Sequence, residues 1–192
     1  MSDDLTIHLN APFTEAEARR LKSGQRVLLS GTIYTLRDAG HKRLIELLER
    51  GETPPFPIEN AVMYYVGPTP ATGGRPIGSA GPTTSYRMDP YTPPLIERGL
   101  RGMIGKGYRD AAVVEAMKTY GAVYFAATGG AGALISRAIV DAEVICWEDL
   151  GTEALRRLEV KDFPVTVIID TEGRDLYQDG PAAWRAQHHL EG

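Results

Sequence analysis

Three short segments of the sequence place cationic side chains among small, flexible residues. They are Arg37 to Arg43, Gly81 to Asp89 and Gly105 to Arg109. A planar guanidinium group binds a carboxylate through two parallel hydrogen bonds, and the free N–H groups at a helix N-terminus bind the same kind of anion. These segments therefore predict a binding site for a small dicarboxylate.

The cations of the first segment do not all suit such a site. Arg37 stands at a predicted junction from strand to helix, where a side chain can reach the ligand-binding edge of a sheet. For Arg37, ligand binding and a place on a solvated helix face are equally open. Lys42 and Arg43 can form that solvated face with Glu46 and Glu49, and we favour this interpretation for both.

Three further features each have a structural and a functional interpretation. His41 precedes the apolar side of a predicted helix by one turn, so it can pack near the helix start or orient an acid or substrate. The segment Thr128-Gly129-Gly130 resembles an anion cradle in outline, but it lacks the spacing of a nucleotide fingerprint, which favours close packing of a helix on a sheet. Cys146 stands between Ile145 and Trp147, which favours a buried, inert thiol over a nucleophile.

The composition is that of an ordinary globular protein. The 192 residues suit one domain, which we predict to span residues 1–192, with a frayed polar tail at 180–192. Lys and Arg total 21 against 25 for Asp and Glu, so the net charge of -4 gives no field that would attract nucleic acid or anionic lipid. No apolar run approaches the ~20 residues of a membrane helix. The N-terminus lacks the pattern of a secretory signal, so we expect a cytoplasmic location.

A single cysteine limits the metal chemistry of the chain. With Cys146 alone, no intrachain disulfide can form. The usual set of cysteine thiolates that holds an iron-sulfur cluster is also missing from the sequence. We therefore expect no metal ligands in this chain, and any cluster must come from elsewhere.

The apolar periodicity predicts an α/β fold with more strand in its first half. We expect strands near 6–9, 26–30, 31–36, 61–66, 102–104, 123–126, 143–147 and 165–169. We expect helices near 14–21, 44–48 with an N-cap at Asp38, 112–120, 134–140 and 150–158. The run at 61–66 should be buried on both faces. Residues 67–94 are dense in Gly, Pro, Thr and Ser, and loops of that length are usually functional or disordered.

Several of these segments, in this order, resemble the β subunit of two-subunit class I fumarases. That subunit is similar to the C-terminal domain of single-chain forms, and the tartrate dehydratase β subunit belongs to the same family. The matching strings are Arg37-Asp38-Ala39-Gly40-His41-Lys42-Arg43, Tyr64-Tyr65-Val66-Gly67-Pro68, Gly81-Pro82-Thr83-Thr84, Arg87-Met88-Asp89, Gly105-Lys106-Gly107, Gly129-Gly130 and Glu159-Val160-Lys161-Asp162-Phe163-Pro164. The resemblance implies a swivelling β/β/α domain, with a mixed sheet or barrel-like β core flanked by helices.

The resemblance also implies a reaction, a cofactor and a partner. The family hydrates fumarate reversibly to malate with a [4Fe-4S] cluster that has three cysteine ligands and one open iron. Those cysteines would belong to an α subunit, and the expected assembly has two α and two β chains. Only the complex would be active.

By motif, the resemblance assigns roles to individual side chains. Arg37, Arg87 and Lys106 would bind the carboxylates and oxygen atoms of the substrate. Thr83 would lie beside the carbon whose proton is exchanged. A threonine hydroxyl is a poor base, so this role requires activation by another group, for which the family uses a partner-chain aspartate. Candidates for supporting roles are Asp38, His41 and Thr84.

Two residues depart from the family pattern, and three other functions remain open. Gly40 stands where alanine is common, and Tyr86 stands where a small residue usually precedes the arginine, so Tyr86 could narrow the pocket or alter substrate preference. Fumarate is favoured over tartrate because residues 65–70 and 77–82 look closer to fumarase β chains. The alternatives from other classes are a stand-alone dicarboxylate-binding module and a nucleotide-binding protein that uses Thr128-Gly129-Gly130.

Overall fold

Strand pairing closes the centre of the fold into a barrel. The computed structural model describes residues 6–71, 73–127 and 135–187. Its strands are β1 (Ile7–Ala11), β2 (Arg26–Thr35), β3 (Val62–Tyr64), β4 (Gly102–Gly105), β5 (Val123–Ala127), β6 (Ile139–Cys146) and β7 (Leu155–Ile169). Strands β2 to β5 run parallel in that order, and β7 pairs antiparallel with both β5 and β2, which closes a ring of five. β1 extends the sheet beside β2, and β6 does so beside β7.

Helices connect these strands and cover the outer side of the barrel wall. The α-helices among the described residues are α1 (Glu15–Ala18), α2 (Asp38–Glu49), α3 (Thr92–Glu97), α4 (Ala111–Tyr120) and α5 (Leu176–Gln187), and 3-10 helices span Ser85–Tyr91, Ser136–Ala138 and Glu148–Glu153. Thr14 and Glu17 form a capping box at α1, in which the Thr14 side chain accepts from the Glu17 N–H. Gly121 ends α4 in the left-handed region, with φ 72°. These caps lie next to the predicted helix start at residue 14 and the predicted helix end at residue 120.

Apolar side chains pack on both faces of the barrel wall. Val62 and Tyr64 of β3 belong to the cluster that fills the barrel, whereas Met63 packs in a second cluster with apolar residues of α2, α3 and α4. This split follows from the alternation of side chains along a strand. Residues 61–66 are all buried, which confirms the predicted burial of this run. The predicted α/β fold with a barrel-like β core flanked by helices is confirmed.

Two predicted helices in the second half are wrong in their later parts. The predicted helix at 134–140 is helical at residue 135 and in the 3-10 turn Ser136–Ala138, but β6 begins at Ile139, and residue 134 lies outside the described ranges. In place of a helix at 150–158, β7 begins at Leu155. Leu155 and Leu158 share a face if the segment is helical, but in β7 they lie in different apolar clusters. Because Leu155 and Leu158 lie on opposite faces of β7, each buried in its own cluster, the spacing of three residues was misleading.

Three smaller predictions also need revision or completion. Arg37, not Asp38, is the N-cap of α2, and Asp38 is the acidic residue of the first turn. Part of the predicted loop at 67–94 is helical, since it contains the 3-10 helix Ser85–Tyr91 and the start of α3. Residues 180–187 of the predicted frayed tail belong to α5, and residues 188–192 lie outside the described ranges. Among the described helices, none has the length and apolar character needed to cross a bilayer.

Candidate active-site edge

The parallel strands of the barrel bring the sequence-predicted residues to one edge. Strands β2, β3 and β4 pair in register through Thr35, Tyr64 and Ile104, so their carboxyl ends lie side by side. Arg37 follows β2 by two residues and Lys106 directly follows β4. The carboxyl edge of parallel strands is the usual ligand-binding edge of an α/β sheet. We call this the carboxyl edge below.

Arg37 is the most constrained cation at the carboxyl edge. Its backbone is extended (φ -113°, ψ -171°) because it is the residue at which the chain turns from β2 into α2. One guanidinium nitrogen lies 3.3 Å from Glu153 Oε1, and both side chains are only 20% exposed. A Cβ atom on Gly67 would lie 2.9 Å from Arg37 Nη1 and 3.1 Å from its Cδ. Glycine at position 67 therefore leaves the space that the arginine occupies.

Asp38 brings Arg37 and Arg87 together. Asp38 Oδ1 lies 3.7 Å from Arg37 Nη2 and 3.8 Å from Arg87 Nη1. Both separations are too long for hydrogen bonds, so the carboxylate attracts the two guanidinium groups without occupying their donors. Arg87 is carried by the 3-10 helix Ser85–Tyr91, and its side chain is 37% exposed. The structure thus places both arginines in one group, with donor capacity left for a further anion.

Thr83, Thr84 and Lys106 form a second group at the same edge. The Thr83 N–H donates to Tyr65 O (2.7 Å), and Thr84 pairs with Lys106 in a parallel bridge. The chain from Thr83 therefore extends the sheet between the ends of β3 and β4. The side chain of Lys106 is exposed, whereas Thr83 and Thr84 are half-buried.

Ser85 joins the two groups and was not singled out from the sequence. Its N–H donates to Lys106 O (2.9 Å), and its hydroxyl accepts from the Lys106 N–H (3.2 Å) and contacts Tyr124 Oη (2.9 Å). A Cβ atom on Gly105 would lie 1.9 Å from Ser85 Oγ, so glycine is required for this approach. Arg87 is two residues further along the same turn. The backbone from Thr83 to Arg87 therefore ties the threonine, lysine and arginine positions into one unit.

His41 lies in the core next to the site. The ring is fully buried, and its Nδ1 donates to Arg37 O at 2.9 Å. Burial lowers the pKa of His41 to about 4, and the nearby Arg109 adds to this effect. The imidazole is therefore neutral at physiological pH, and it packs edge-on against the Tyr65 ring at 5.3 Å. Of the two interpretations of His41, the structure shows packing and hydrogen bonding at the helix start.

A buried ion pair beside the edge was missed as a site feature. Arg109 Nε lies 2.6 Å from Asp89 Oδ1, and the two side chains are 0% and 4% exposed. Arg109 also donates to Thr92 Oγ1 (3.0 Å) and stacks over the rings of Tyr65 and Tyr124. Burial raises the pKa of Asp89, while Arg109 and a hydrogen bond from the Asp110 N–H oppose the rise. The sequence signal for this ion pair was the presence of a charged residue directly after two of the family strings. Asp89 follows Arg87-Met88, and Arg109 follows Lys106-Gly107-Tyr108.

The remaining sequence candidates lie apart from the site or outside the described ranges. Lys42 lies 3.9 Å from Glu46 on the exposed face of α2, as predicted, but Arg43 pairs with Asp149 instead of Glu49. Cys146 is half-buried at the end of β6, and burial raises the pKa of its thiol. The segment Thr128-Gly129-Gly130 lies outside the described ranges.

The residues present do not fit an iron-sulfur cluster. The sequence has one cysteine, and a cluster of this kind needs several thiolate ligands. Over residues 6–71, 73–127 and 135–187, no group of three or more His, Cys, Asp or Glu side chains is arranged to hold a metal ion. The side chains at the carboxyl edge are mainly cationic. They comprise the three cations Arg37, Arg87 and Lys106 and the two carboxylates Asp38 and Glu153.

Comparisons with known proteins show the family of this chain. The family model described as Fumarase C-terminus matches residues 1–180. Fumarate hydratase 1, mitochondrial, of Leishmania major and the anaerobic class I fumarate hydratase of Escherichia coli K12 are each 36% identical over 90% of this chain, which covers 32% of their own length. The chain thus spans about a third of these relatives. A putative L(+)-tartrate dehydratase subunit beta of Methanocaldococcus jannaschii is 33% identical over 86% of this chain and 88% of that protein. The chain belongs to the Fumarase C-terminus family.

Proposed function

We propose that this chain is the small subunit of a hydro-lyase that hydrates fumarate reversibly to (S)-malate. The observation that supports this most directly is the convergence of Arg37 and Arg87 on Asp38, at the edge that also carries Thr83 and Lys106. A dicarboxylate needs separated cationic contacts, and the carboxyl edge supplies them. The likeness to proteins named fumarate hydratase over 90% of the chain supports the reaction class.

The reaction needs substrate orientation, proton transfer at one carbon and activation of the oxygen that adds to the other. This chain can supply the first two. Hydration adds a hydroxyl group to one carbon of the double bond and a proton to the next. Arg37, Arg87 and Lys106 would bind the substrate carboxylates. This binding would hold the two carbons of the double bond in the geometry needed for reaction. Thr83 would stand at the carbon that gains or loses the proton, with another group to activate it. A Lewis acid would supply the third contribution by activating the water that becomes the hydroxyl group, and the described residues of this chain include no group arranged to hold a metal ion.

The cluster and its ligands would therefore come from a partner. We propose a cluster-bearing α subunit that covers the carboxyl edge, and an assembly of two α and two β chains. The match to a protein named as a beta subunit, over 88% of its length, supports a separate small chain. The exposed position of Lys106 and the 37% exposure of Arg87 leave those cations available to a substrate held between two chains. The cytoplasmic location stays a prediction.

Tartrate dehydration is the second candidate, and the tartrate dehydratase relative favours it. Tartrate carries one hydroxyl group more than malate, and both would present two carboxylates to the same arginines. Tyr86, which departs from the family pattern, directly precedes Arg87 and is 62% exposed at the edge. A stand-alone dicarboxylate-binding module remains the alternative from another class.

The decisive experiment is anaerobic coexpression with candidate α subunits, followed by assays with fumarate, malate and tartrate. We expect turnover only in the complex, with fumarate and malate as the preferred pair. Preferred turnover of tartrate would assign the second candidate. A complex that binds dicarboxylates without turning them over would overturn the enzymatic proposal, and nucleotide binding by the free chain would support the nucleotide-binding alternative.

A further inference from the structure

The 3-10 helix Glu148–Glu153 reaches the carboxyl edge and holds Arg37. Glu153 Oε1 lies 3.3 Å from Arg37 Nη2, and Glu153 Oε2 accepts a hydrogen bond from the Ala39 N–H at 3.1 Å. One carboxylate therefore contacts both the arginine side chain and the first turn of α2, which begins directly after that arginine. The Glu153 side chain is 20% exposed, so it is shielded more than a surface ion pair is.

A second wall confines Arg37 from the side of β3. A Cβ atom at Gly67 would approach Arg37 Nη1 to 2.9 Å, Arg37 Cδ to 3.1 Å and Thr152 Oγ1 to 3.4 Å. The guanidinium group thus packs against the backbone of Gly67, next to Thr152 and Glu153 of the 3-10 helix. Gly67 does not need glycine for its backbone, because its φ is not in the left-handed region. Space for Arg37 is the requirement that the structure shows.

The segment Glu148–Glu153 is kinked at Gly151 (φ 59°, ψ -114°), and its part before the kink is fastened to α2 by an independent contact. Arg43 of α2 and Asp149 form a bidentate pair, with Nη1 to Oδ1 at 2.9 Å and Nη2 to Oδ2 at 2.8 Å. This pair is exposed and does not touch Arg37. Attachment of the segment to α2 and contact with Arg37 can therefore be separated by substitution.

We propose that Glu153 is a positioning residue that fixes Arg37 for substrate binding. Of the five N–H donors of a guanidinium group, the ion pair with Glu153 engages one side and leaves donors for a substrate carboxylate. A group held in one rotamer by a supporting carboxylate binds its ligand without first losing side-chain freedom. The role assigned to Glu153 rests on the proposed function, since it acts through Arg37.

The test compares Glu153→Gln with Asp149→Asn in the reconstituted complex. Glutamine keeps the size of the side chain and an oxygen for the Ala39 N–H, but it removes the charge that holds Arg37. We expect kcat/KM to fall on the order of tenfold, mostly through a higher KM, since displaced binding groups commonly cost tenfold or more. Asp149→Asn removes the charge that pairs with Arg43 and one of its two acceptor oxygens, and should leave both constants unchanged. An equal loss in the two variants would show that Glu153 only fastens the segment, and would overturn the proposal.

A double-mutant cycle shows whether Glu153 acts through Arg37. In an Arg37→Ala background, in which the cation held by Glu153 is gone, Glu153→Gln should change kcat/KM by less than about twofold, because residues that act as one unit are not additive. A full additional loss in that background, or a lower KM in the single variant, would contradict a positioning role.

Crystal structures of the full chain provide a readout that does not depend on turnover. The Arg37 guanidinium should leave its place beside Gly67 in Glu153→Gln and keep it in Asp149→Asn. If the wild-type complex turns over none of the three substrates, the proposed function fails, and these structures still decide whether Glu153 holds Arg37. An Arg37 that stays in place in Glu153→Gln would overturn the positioning claim alone.

Discussion

Arg87 is held more loosely than Arg37, and this difference suits it to bind substrate. Its described ion pair is the 3.8 Å approach to Asp38, and its side chain is 37% exposed. Replacement with alanine should lower kcat/KM by roughly a hundredfold or more, about 3 kcal/mol of transition-state stabilisation, because a buried substrate carboxylate would lose its partner. Lysine should restore only part of the activity, since an ammonium group cannot form two parallel hydrogen bonds. Steady-state kinetics of the reconstituted complex measures both effects.

Arg98 provides the matched control for Arg87. It is exposed and donates to Pro94 O within α3, away from the carboxyl edge. Arg98→Ala should leave kcat/KM within about twofold of the wild-type value, as surface substitutions usually do. Unaltered turnover in Arg87→Ala would remove Arg87 from the site.

His41 should make the stability of the chain depend on pH. Its pKa is lowered by burial to about 4, from an ordinary value of 6.5. The unfolded chain therefore binds a proton at pH 5 that the folded chain does not. The contribution is complete above about pH 6.5 and is lost as pH falls towards about 4, by an amount on the order of 3 kcal/mol. Urea unfolding at pH 7 and pH 5 measures the part of this loss that falls between those pH values, about 2 kcal/mol.

Two histidine variants separate this effect from general acid sensitivity. His41→Gln should flatten the difference in unfolding free energy between pH 7 and pH 5. His8 is exposed on β1, so His8→Gln should keep the wild-type difference. If both variants show the same pH dependence as the wild type, His41 is not the group responsible.

At the residue scale, the sequence identified the cations but not their supports. Arg37, Arg87, Lys106 and Thr83 come from short strings whose order along the chain is distinctive, and the structure places them along one edge. Glu153 contacts the first turn of α2 across 114 residues of sequence, so no local pattern could connect them. Such a contact exists only because strand pairing returns the chain to α2 after β6.

The Asp89–Arg109 pair links the 3-10 helix Ser85–Tyr91 to the segment that precedes α4. Asp89 also accepts from the Asp110 N–H at 2.8 Å, and Asp110 caps α4. Asp89→Asn should lower the free energy of unfolding by roughly 3 to 5 kcal/mol, because it leaves the buried charge of Arg109 without its counterion. Denaturant unfolding of the isolated chain measures this loss directly.

A double variant shows whether the stability depends on the charges of this pair or on the volume that the two side chains fill. Asp89→Leu combined with Arg109→Met should recover much of the stability lost by either change alone, since apolar side chains of similar volume can replace a buried ion pair. The exposed pair Lys118–Glu115 is the control, and Glu115→Gln should change the unfolding free energy by less than about 1 kcal/mol. A double variant less stable than both single variants would contradict this account.

At the element scale, local patterns predicted the segments with one apolar face and the later parts of β6 and β7, but they failed at the beginnings of these two strands. The capping box at Thr14 and the stop at Gly121 were visible because those signals are local. β7 is 15 residues long and pairs with three other strands, so its two faces enter two different cores. Its burial is a product of barrel closure, which depends on contacts far apart in the sequence.

At the scale of the whole molecule, α4 connects the two opposite ends of the barrel. The chain leaves β4 at the carboxyl edge, passes through α4 and enters β5 from the opposite end. Tyr86 lies at the carboxyl edge and is 62% exposed, whereas Tyr120 ends α4 at the far end and is 37% exposed. The two tyrosines therefore offer a matched pair for locating the surface that the proposed α subunit would cover.

Tyr86→Ser should weaken association with the proposed α subunit without affecting the stability of the free chain. Aromatic side chains buried in an interface commonly contribute more than 1 kcal/mol, so the dissociation constant of the complex should rise by about tenfold. Tyr120→Ser should leave it unchanged, and neither variant should shift the unfolding midpoint of the free chain, because exposed tyrosines contribute little to folding. Sedimentation of the anaerobic complex at several concentrations measures the constants. Equal weakening by both variants, or by Tyr120→Ser alone, would show that the partner covers a different face and that the carboxyl edge is not the shared site.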